Sequence, residues 1–179
     1  GTGSLGVDRY VILVEGKGSP DDNYLIDLKE ALPSSVAPHV GTPQPKWRSE
    51  AERVVDIQRR NQAVSQAFLH AVDFNQRSYV LRSLQPSEDR VALSDWDGKL
   101  SRLEAVINSM AELSAWAHLR SGGRQKSSIA DDLIAFGNRR DWQAPLIELA
   151  TQCAAQVAAD WKTYSEAYDR GVFDLPVKA

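Results

Sequence analysis

Two apolar stretches near the start of the chain, the first apolar on both faces, predict two β-strands. The first covers Val7–Glu15 and the second covers Tyr24–Glu30. Between them, residues 16–23 are rich in Gly, Asp and Asn, a composition typical of a turn. Asp27 and Lys29 share one face of the second strand, because strand side chains alternate. The pattern therefore predicts a hairpin that presents Lys29 on one side of a sheet.

A change of period after this hairpin predicts a helix. Repeated prolines make residues 31–47 an irregular crossing segment. Ser49 then suits the N-cap of a helix that extends to about His70, with acids in its first turn. One stripe of this helix, apolar apart from Asn61, consists of Val54, Ile57, Asn61, Val64 and Phe68.

A second hairpin follows, with a short strand at 72–74, a turn at 75–77 and a strand at 78–84. Arg82 on this last strand is able to pair with an acid or a phosphate, or its aliphatic stem simply covers the sheet. Gln85, next to a proline, ends the strand.

The second half of the chain has helical periodicity. Apolar residues recur at three- and four-residue spacing over Leu100–Ala117 and predict a buried stripe, with glycines at 122–123 as the stop. A short helix is expected over Ile129–Phe136, and a long one is expected from an Asp141 cap to about Arg170. The predicted class is α+β. A small antiparallel sheet with a glycine-rich hairpin and one packed helix (residues 1–90) precedes a helical half (residues 91–179), together forming one compact unit.

Composition narrows the function classes. The chain has 179 residues, 42% of them hydrophobic, enough for a globular core. Its net charge is −3 with both signs interspersed, which argues against nucleic acid as a partner. The single Cys153 is expected to be a packed thiol. No apolar run approaches the roughly 20 residues that span a membrane, so we expect a soluble cytoplasmic protein with no membrane partner.

A glycine run precedes the first strand. Gly1, Gly3 and Gly6 form a G-x-G-x-x-G pattern that, with Ser4 between them, allows backbone N–H groups to approach a phosphate. A strand and turn follow, not the strand and helix of a dinucleotide fold. Protein kinases use such a loop over ATP phosphates together with a lysine on a following strand, which here would be Lys29. The alternative is that Lys29 is an ordinary surface lysine.

Several stretches over most of the chain resemble a bacterial family called domain of unknown function 2252. They are Gly1–Gly6, Asp8–Ser19, Leu28–Ala31, Arg53–Val55, Gln58–Arg59, Tyr79–Arg82, Leu84–Pro86, Ala117–His118 and Arg120–Gly122. The resemblance implies a kinase-like fold without an established activity. Longer members carry Gly-Asp-x-His…Asn and Asp-Phe-Asp segments before the glycine loop. Neither segment is in this sequence, so we expect a C-terminal fragment of a longer protein.

A kinase-like lobe would pair Lys29 with an acid on the following helix. Glu52 and Asp56 are the candidates, since they lie one turn apart on one helical face. The alternative is that both are solvated surface acids. Gln85 would lie at the hinge that receives the adenine ring.

His118 and Arg120 are predicted to lie at the end of a helix. They are either cations favoured by the helix dipole or ligands for a phosphate supplied from elsewhere. No acid follows closely enough to form a kinase catalytic loop.

The sequence thus favours the ATP-binding portion of a kinase-like phosphotransferase. Phosphate transfer needs a carboxylate base and metal-binding acids, and no motif here supplies either. We expect the chain alone to be inactive, with Mg²⁺ ligands in an upstream segment and an unknown small-molecule or protein substrate. The alternative is a non-catalytic protein-interaction domain that uses its tryptophans, Trp47, Trp96, Trp116, Trp142 and Trp161.

Overall fold

The structure, a computed structural model, describes residues 6–17, 22–86 and 91–174. The chain divides into two compact units, Gly1–Ala130 and Asp131–Ala179. The strands are β1 (Arg9–Val14), β2 (Tyr24–Glu30), β3 (His70–Phe74) and β4 (Arg77–Ser83). The helices are α1 (Glu50–Asn61), α2 (Leu100–Ser121), α3 (Ala130–Asn138) and α4 (Gln143–Asp169). The predicted α+β class is confirmed.

The four strands form one antiparallel sheet in the order β1-β2-β4-β3. The lysine strand β2 is therefore central, between β1 and β4. In this register Asp27 lies opposite Arg82 of β4, and Lys29 lies opposite both Arg9 of β1 and Val80 of β4. Charged side chains from three strands thus meet on one face of the sheet.

Both predicted hairpins are confirmed by the pairing of β1 with β2 and of β3 with β4, although residues 18–21 of the first turn lie outside the described residues. At the first hairpin, a Cβ on Gly16 would clash with the Asp22 backbone carbonyl, so only glycine fits. At the second, Asn75 and Gln76 have φ angles of 48° and 63°. Two consecutive positive φ angles in a two-residue loop are typical of the type I′ turn, which matches the twist of the flanking strands.

Helix α1 begins as predicted but ends earlier. The Ser49 side chain accepts a hydrogen bond from the Glu52 N–H at 3.2 Å. The predicted extension to His70 is wrong, because the helix ends at Asn61 and His70 begins β3. Residues 62–69 instead run alongside the end of β4. There, the Ser83 N–H donates to the Ala67 carbonyl at 2.9 Å. These hydrogen bonds to the sheet replace helical ones.

The core of this unit lies between α1 and the sheet. Ala51 and Val55 of α1 pack with Leu69 and Val80, and all four are at most 7% exposed. Val80 is directly opposite Lys29 in the register, so the two share a face. Helix α1 therefore covers the Lys29 side of the sheet.

The opposite face has an aromatic cluster. Tyr79 is 2% exposed, and its ring centroid lies 6.3 Å from those of Tyr10 and Phe74. The tilted and edge-on geometries are those that aromatic pairs prefer. Strands β1, β3 and β4 are thereby joined through one buried ring.

The helices of the second half form close to the predicted ranges, but their apolar stripes are not buried as predicted. No residue of α2 or α4 is buried, and Met110 and Trp116 are about half exposed. Cys153 is exposed, so the prediction of a packed thiol is wrong. The physical reason is that helical periodicity identifies an apolar face without specifying what covers it.

The start of α4 also differs from the prediction. Trp142 occupies the N-cap position without a side-chain cap hydrogen bond. The Asp141 carboxylate instead accepts from Arg139, at 3.1 Å from Nε and 2.5 Å from Nη2. Asp141 is thus one residue too early in the chain for the predicted cap.

Candidate functional site

Lys29 lines a cavity of about 260 Å³ on the side of the sheet that α1 covers. The lysine is half-buried near the end of β2. The cavity is lined by Val7, Lys29, Glu30, Ala31, Leu32, Val54, Val80 and Arg82. The structure therefore brings two predicted site residues, Lys29 and Arg82, into one concave and largely apolar site.

A buried carboxylate fixes Arg82 beside this cavity. Asp27 is 1% exposed and lies between two arginines. Its Oδ1 accepts from Arg9 Nε at 2.5 Å, and its Oδ2 accepts from Arg82 Nε at 3.2 Å. Both guanidinium side chains remain 35% exposed. Asp27 thus binds the Nε atoms of both arginines, whose side chains stay partly accessible to solvent.

The electrostatics of the triad favour its ionised form. Loss of hydration raises the pKa of Asp27, but the hydrogen bonds and charges of Arg9 and Arg82 outweigh it and leave the pKa below its ordinary value. The pKa of Arg9 is raised by its hydrogen bond to Asp27 and by that carboxylate's charge. The two positive charges against one negative charge leave this part of the sheet electropositive.

Gly6 lies two residues before Asp8, which joins the start of β1 to the end of β2. Its φ is +73°, in the left-handed region where glycine is favoured. Asp8 then exchanges hydrogen bonds with Glu30: the Glu30 N–H donates to the Asp8 carbonyl at 2.9 Å, and the Asp8 N–H donates to Glu30 Oε2 at 3.2 Å. Because Val7 lines the cavity, the segment after Gly6 borders the Lys29 site. Gly1, Gly3 and Ser4 lie outside the described residues.

Glu52 and Asp56 are not brought to the Lys29 cavity. Glu52 Oε1 accepts from Arg48 Nε at 3.0 Å, and this interaction lowers the pKa of Glu52. Both acids line a different cavity, together with Arg60. The reason is that Ala51 and Val55 occupy the face of α1 that packs on the sheet. Helix α1 thus presents apolar groups, including Val54, to the lysine side.

Gln85 is exposed just beyond β4. The preceding Leu84 N–H donates to the Leu25 carbonyl at 2.9 Å, so β4 remains paired with β2 almost to Gln85. Gln85 does not line the Lys29 cavity.

The sequence reasoning missed Arg9 as a site residue and did not assign Asp27 a partner. Strand alternation places Asp27 and Lys29 on one face, which was visible in the sequence. The register that sets Asp27 opposite Arg82 was not visible, because it depends on how β2 pairs with β4.

Within the described ranges, the site offers cations and no metal cluster. Across residues 6–17, 22–86 and 91–174, no group of three or more His, Cys, Asp or Glu side chains is placed to hold a metal ion. In the same part of the chain, no helix is long and apolar enough to cross a membrane. Lys29 and Arg82 suit an anionic ligand, since ammonium and guanidinium groups are donors without acceptors.

Comparison with known families identifies the chain at the level of a family. Residues 1–167 match the model of the uncharacterized proteins conserved in bacteria, domain of unknown function 2252. The protein belongs to this bacterial family. No curated protein and no solved structure matches the chain.

Proposed function

We propose that the Lys29 cavity binds the phosphates of ATP and that the chain is the nucleotide-binding portion of a kinase-like phosphotransferase. The observation that carries the proposal is the convergence of Lys29 and Arg82 in one cavity bordered by the segment after Gly6. An ammonium and a guanidinium close together bind phosphate oxygens through charge-assisted hydrogen bonds. Lys29 would neutralise the phosphates and Gly6 would allow the loop backbone to approach them.

The order of elements supports this proposal. The lysine strand β2 is followed by α1, which packs on the lysine side of the sheet, and then by a hairpin whose last strand β4 pairs with β2. Kinases likewise pair a lysine strand with the helix that follows it. The difference lies in the acid: here, a carboxylate of the lysine strand itself, Asp27, orients the neighbouring Arg82.

The geometry leaves Arg82 able to bind a ligand while it is held by Asp27. Its Nε is used for the carboxylate at 3.2 Å. A guanidinium has five N–H donors in a planar fork. The donors on the two terminal nitrogens can therefore still bind a phosphate. Val54 and Val80 form an apolar wall of the cavity, which strengthens electrostatic interactions by excluding water.

Catalysis requires groups beyond this cavity. A kinase-type reaction needs a carboxylate base and acids that hold Mg²⁺, which we propose are supplied from outside this cavity. The chain alone is therefore proposed to bind nucleotide without transferring phosphate. Its substrate is left open between a small molecule and a protein.

Lys29→Ala is expected to weaken ATP–Mg binding about tenfold, a free-energy cost of roughly 1.4 kcal/mol. The physical reason is the loss of one charge-assisted interaction with a phosphate. Isothermal titration calorimetry measures the change directly, on this chain and on a longer family member. The matched control is Lys162→Ala on α4, which removes an equal charge from a side chain that is 78% exposed.

The control is expected to change the dissociation constant less than about twofold, since an exposed charge outside the site contributes little. Equal weakening by both variants would reduce the effect to net charge and contradict the proposal. So would undiminished ATP binding by Lys29→Ala.

A second candidate function is favoured by the surface of the helices. Trp161 of α4 is 67% exposed and stacks with Tyr164, which in turn stacks with Tyr168 and Phe173. Exposed aromatic clusters are typical of protein-interaction surfaces. A non-catalytic interaction domain would show no nucleotide binding in the same titration, which separates the two functions.

A further inference from the structure

A cluster of arginines lies at the adjoining ends of two helices, away from the residues that line the Lys29 cavity. An open cavity of about 410 Å³ is lined by Asp56, Arg59, Arg60, Arg120 and Arg124. Arg59 and Arg60 belong to the last turn of α1, and Arg120 belongs to the last turn of α2. Arg124 follows in the loop after α2. The lining thus carries an excess of three positive charges.

The internal contacts of this cluster leave most of its charge unneutralised. Arg59 Nη2 donates to the Leu69 carbonyl at 2.6 Å, and Arg60 Nη1 donates to Gln125 Oε1 at 3.2 Å, so both of these partners are uncharged. The Asp56 carboxylate is 4.0 Å from Arg60, at the outer limit of an ion pair.

The other two arginines have fewer contacts. Within the described part of the chain, the guanidinium groups of Arg120 and Arg124 have no hydrogen-bond or ion-pair partner. Two of the arginines are therefore oriented by protein contacts and two are available to a ligand.

Helix dipoles explain only part of this arrangement. A cation in the last turn of a helix is favoured by the helix dipole, which accounts for Arg59, Arg60 and Arg120 singly. It does not account for their convergence on one cavity, where like charges repel. Arg60 also lines the neighbouring cavity, where Lys46 and Arg48 are accompanied by the carboxylates of Glu52 and Asp56. An anion in the cavity would relieve this repulsion.

We infer that this arginine cluster is a binding site for a phosphoryl group of a soluble phosphorylated small molecule. Guanidinium groups present planar pairs of N–H donors that match phosphate oxygens, and arginine is preferred where such bidentate recognition is needed. A pyrophosphate or a phosphate monoester would be contacted from α1 by Arg60 and from the other helix end by Arg120 and Arg124. This site is independent of the proposed ATP site, whose lining it does not share.

The test is a calorimetric titration with pyrophosphate at low ionic strength, in a Lys29→Ala background so that the Lys29 cavity does not contribute. The double variant Arg120→Gln and Arg124→Gln is expected to weaken binding about tenfold or more, as expected for the loss of charged hydrogen bonds. The charge-matched control is Arg102→Gln with Arg139→Gln, two exposed arginines that pair with Asp97 and Asp141. The control is expected to change binding less than about twofold.

A gain of affinity provides a readout that misfolding would not produce. Asp56→Asn removes the carboxylate that lines the cavity, and we expect it to tighten pyrophosphate binding about threefold. In a parallel NMR titration, the Nε–Hε signals of Arg120 and Arg124 should shift with saturation. No saturable binding, equal weakening by the control pair, or shifts spread over arginines outside the cluster would each overturn the inference.

Discussion

Asp27→Asn is expected to lower the free energy of unfolding by about 3 kcal/mol, the scale for removing one member of a buried charged network. The substitution keeps the size of the side chain. It removes the charge that two guanidinium groups face at 2.5 Å and 3.2 Å, and it places an N–H₂ donor against donors. Arg9 and Arg82 keep contact with water, so the loss is near the lower end for buried ion pairs. Urea denaturation followed by circular dichroism measures it.

The same variant predicts a change in pH dependence. The pKa of Asp27 is lower in the folded state, so its contribution is fully present above the unfolded value of about 3.9. The contribution is lost as the pH falls through the folded value. The wild-type protein should therefore lose stability relative to Asp27→Asn as the solution is acidified below about pH 4, and the two stabilities should converge.

The control for this prediction is Asp97→Asn. Asp97 is 70% exposed and pairs with Arg102 at 2.6 Å, so its loss is expected to cost about 1 kcal/mol or less. Asparagine also tolerates the positive φ of this position. Equal costs for the two variants would mean that the Asp27 triad contributes no more than a surface pair.

Tyr79→Ala is expected to lower the free energy of unfolding by about 3–5 kcal/mol, the range for removing a buried aromatic ring. Tyr79 is 2% exposed, and its ring contacts those of Tyr10 and Phe74, which come from two other strands. The variant leaves a cavity between the rings of Tyr10 and Phe74, whose strands are kept apart by the hydrogen-bonded β2 and β4. Chemical denaturation measures the difference.

Phe74→Ala provides the comparison for Tyr79. Phe74 belongs to the same cluster but is 53% exposed, so its truncation removes less buried surface and should cost about half as much or less. A Tyr79→Ala variant as stable as Phe74→Ala would show that the cluster is not the packing centre of this face.

The sheet could be predicted from the sequence because its signals are local. Strand β2 has the predicted bounds, since alternation and the flanking turn residues both mark it. The end of α1 could not be predicted this way. Val64 and Phe68 continue the helical spacing. Leu69, however, is buried in the core, and the chain before it bonds to the end of β4 instead of continuing the helix. Tertiary packing overrode a local pattern.

The site was predictable in part for the same reason. Lys29 and Arg82 were identified as single residues, and their meeting in one cavity depends on strand register, which a single sequence does not specify. Glu52 was proposed from its place on a helix. The packing of Ala51 and Val55 on the sheet sets the rotation of α1, however, and Glu52 lies away from Lys29, where it pairs with Arg48. Likewise, the sequence predicts apolar stripes on α2 and α4, but it does not identify what packs against them.

The central claim is that Lys29 lies beside the phosphates of a bound nucleotide. The most direct measurement uses an ATP analogue with an acyl group on its terminal phosphate, which transfers the acyl group to a lysine amine near the phosphates. Peptide mapping by mass spectrometry then identifies the acylated lysine. We predict that Lys29 is labelled, that excess ATP suppresses this label, and that exposed Lys17 and Lys162 are labelled weakly and without ATP competition. Labelling of Lys29 that ATP does not suppress, or that does not exceed the labelling of Lys17 and Lys162, would contradict the claim.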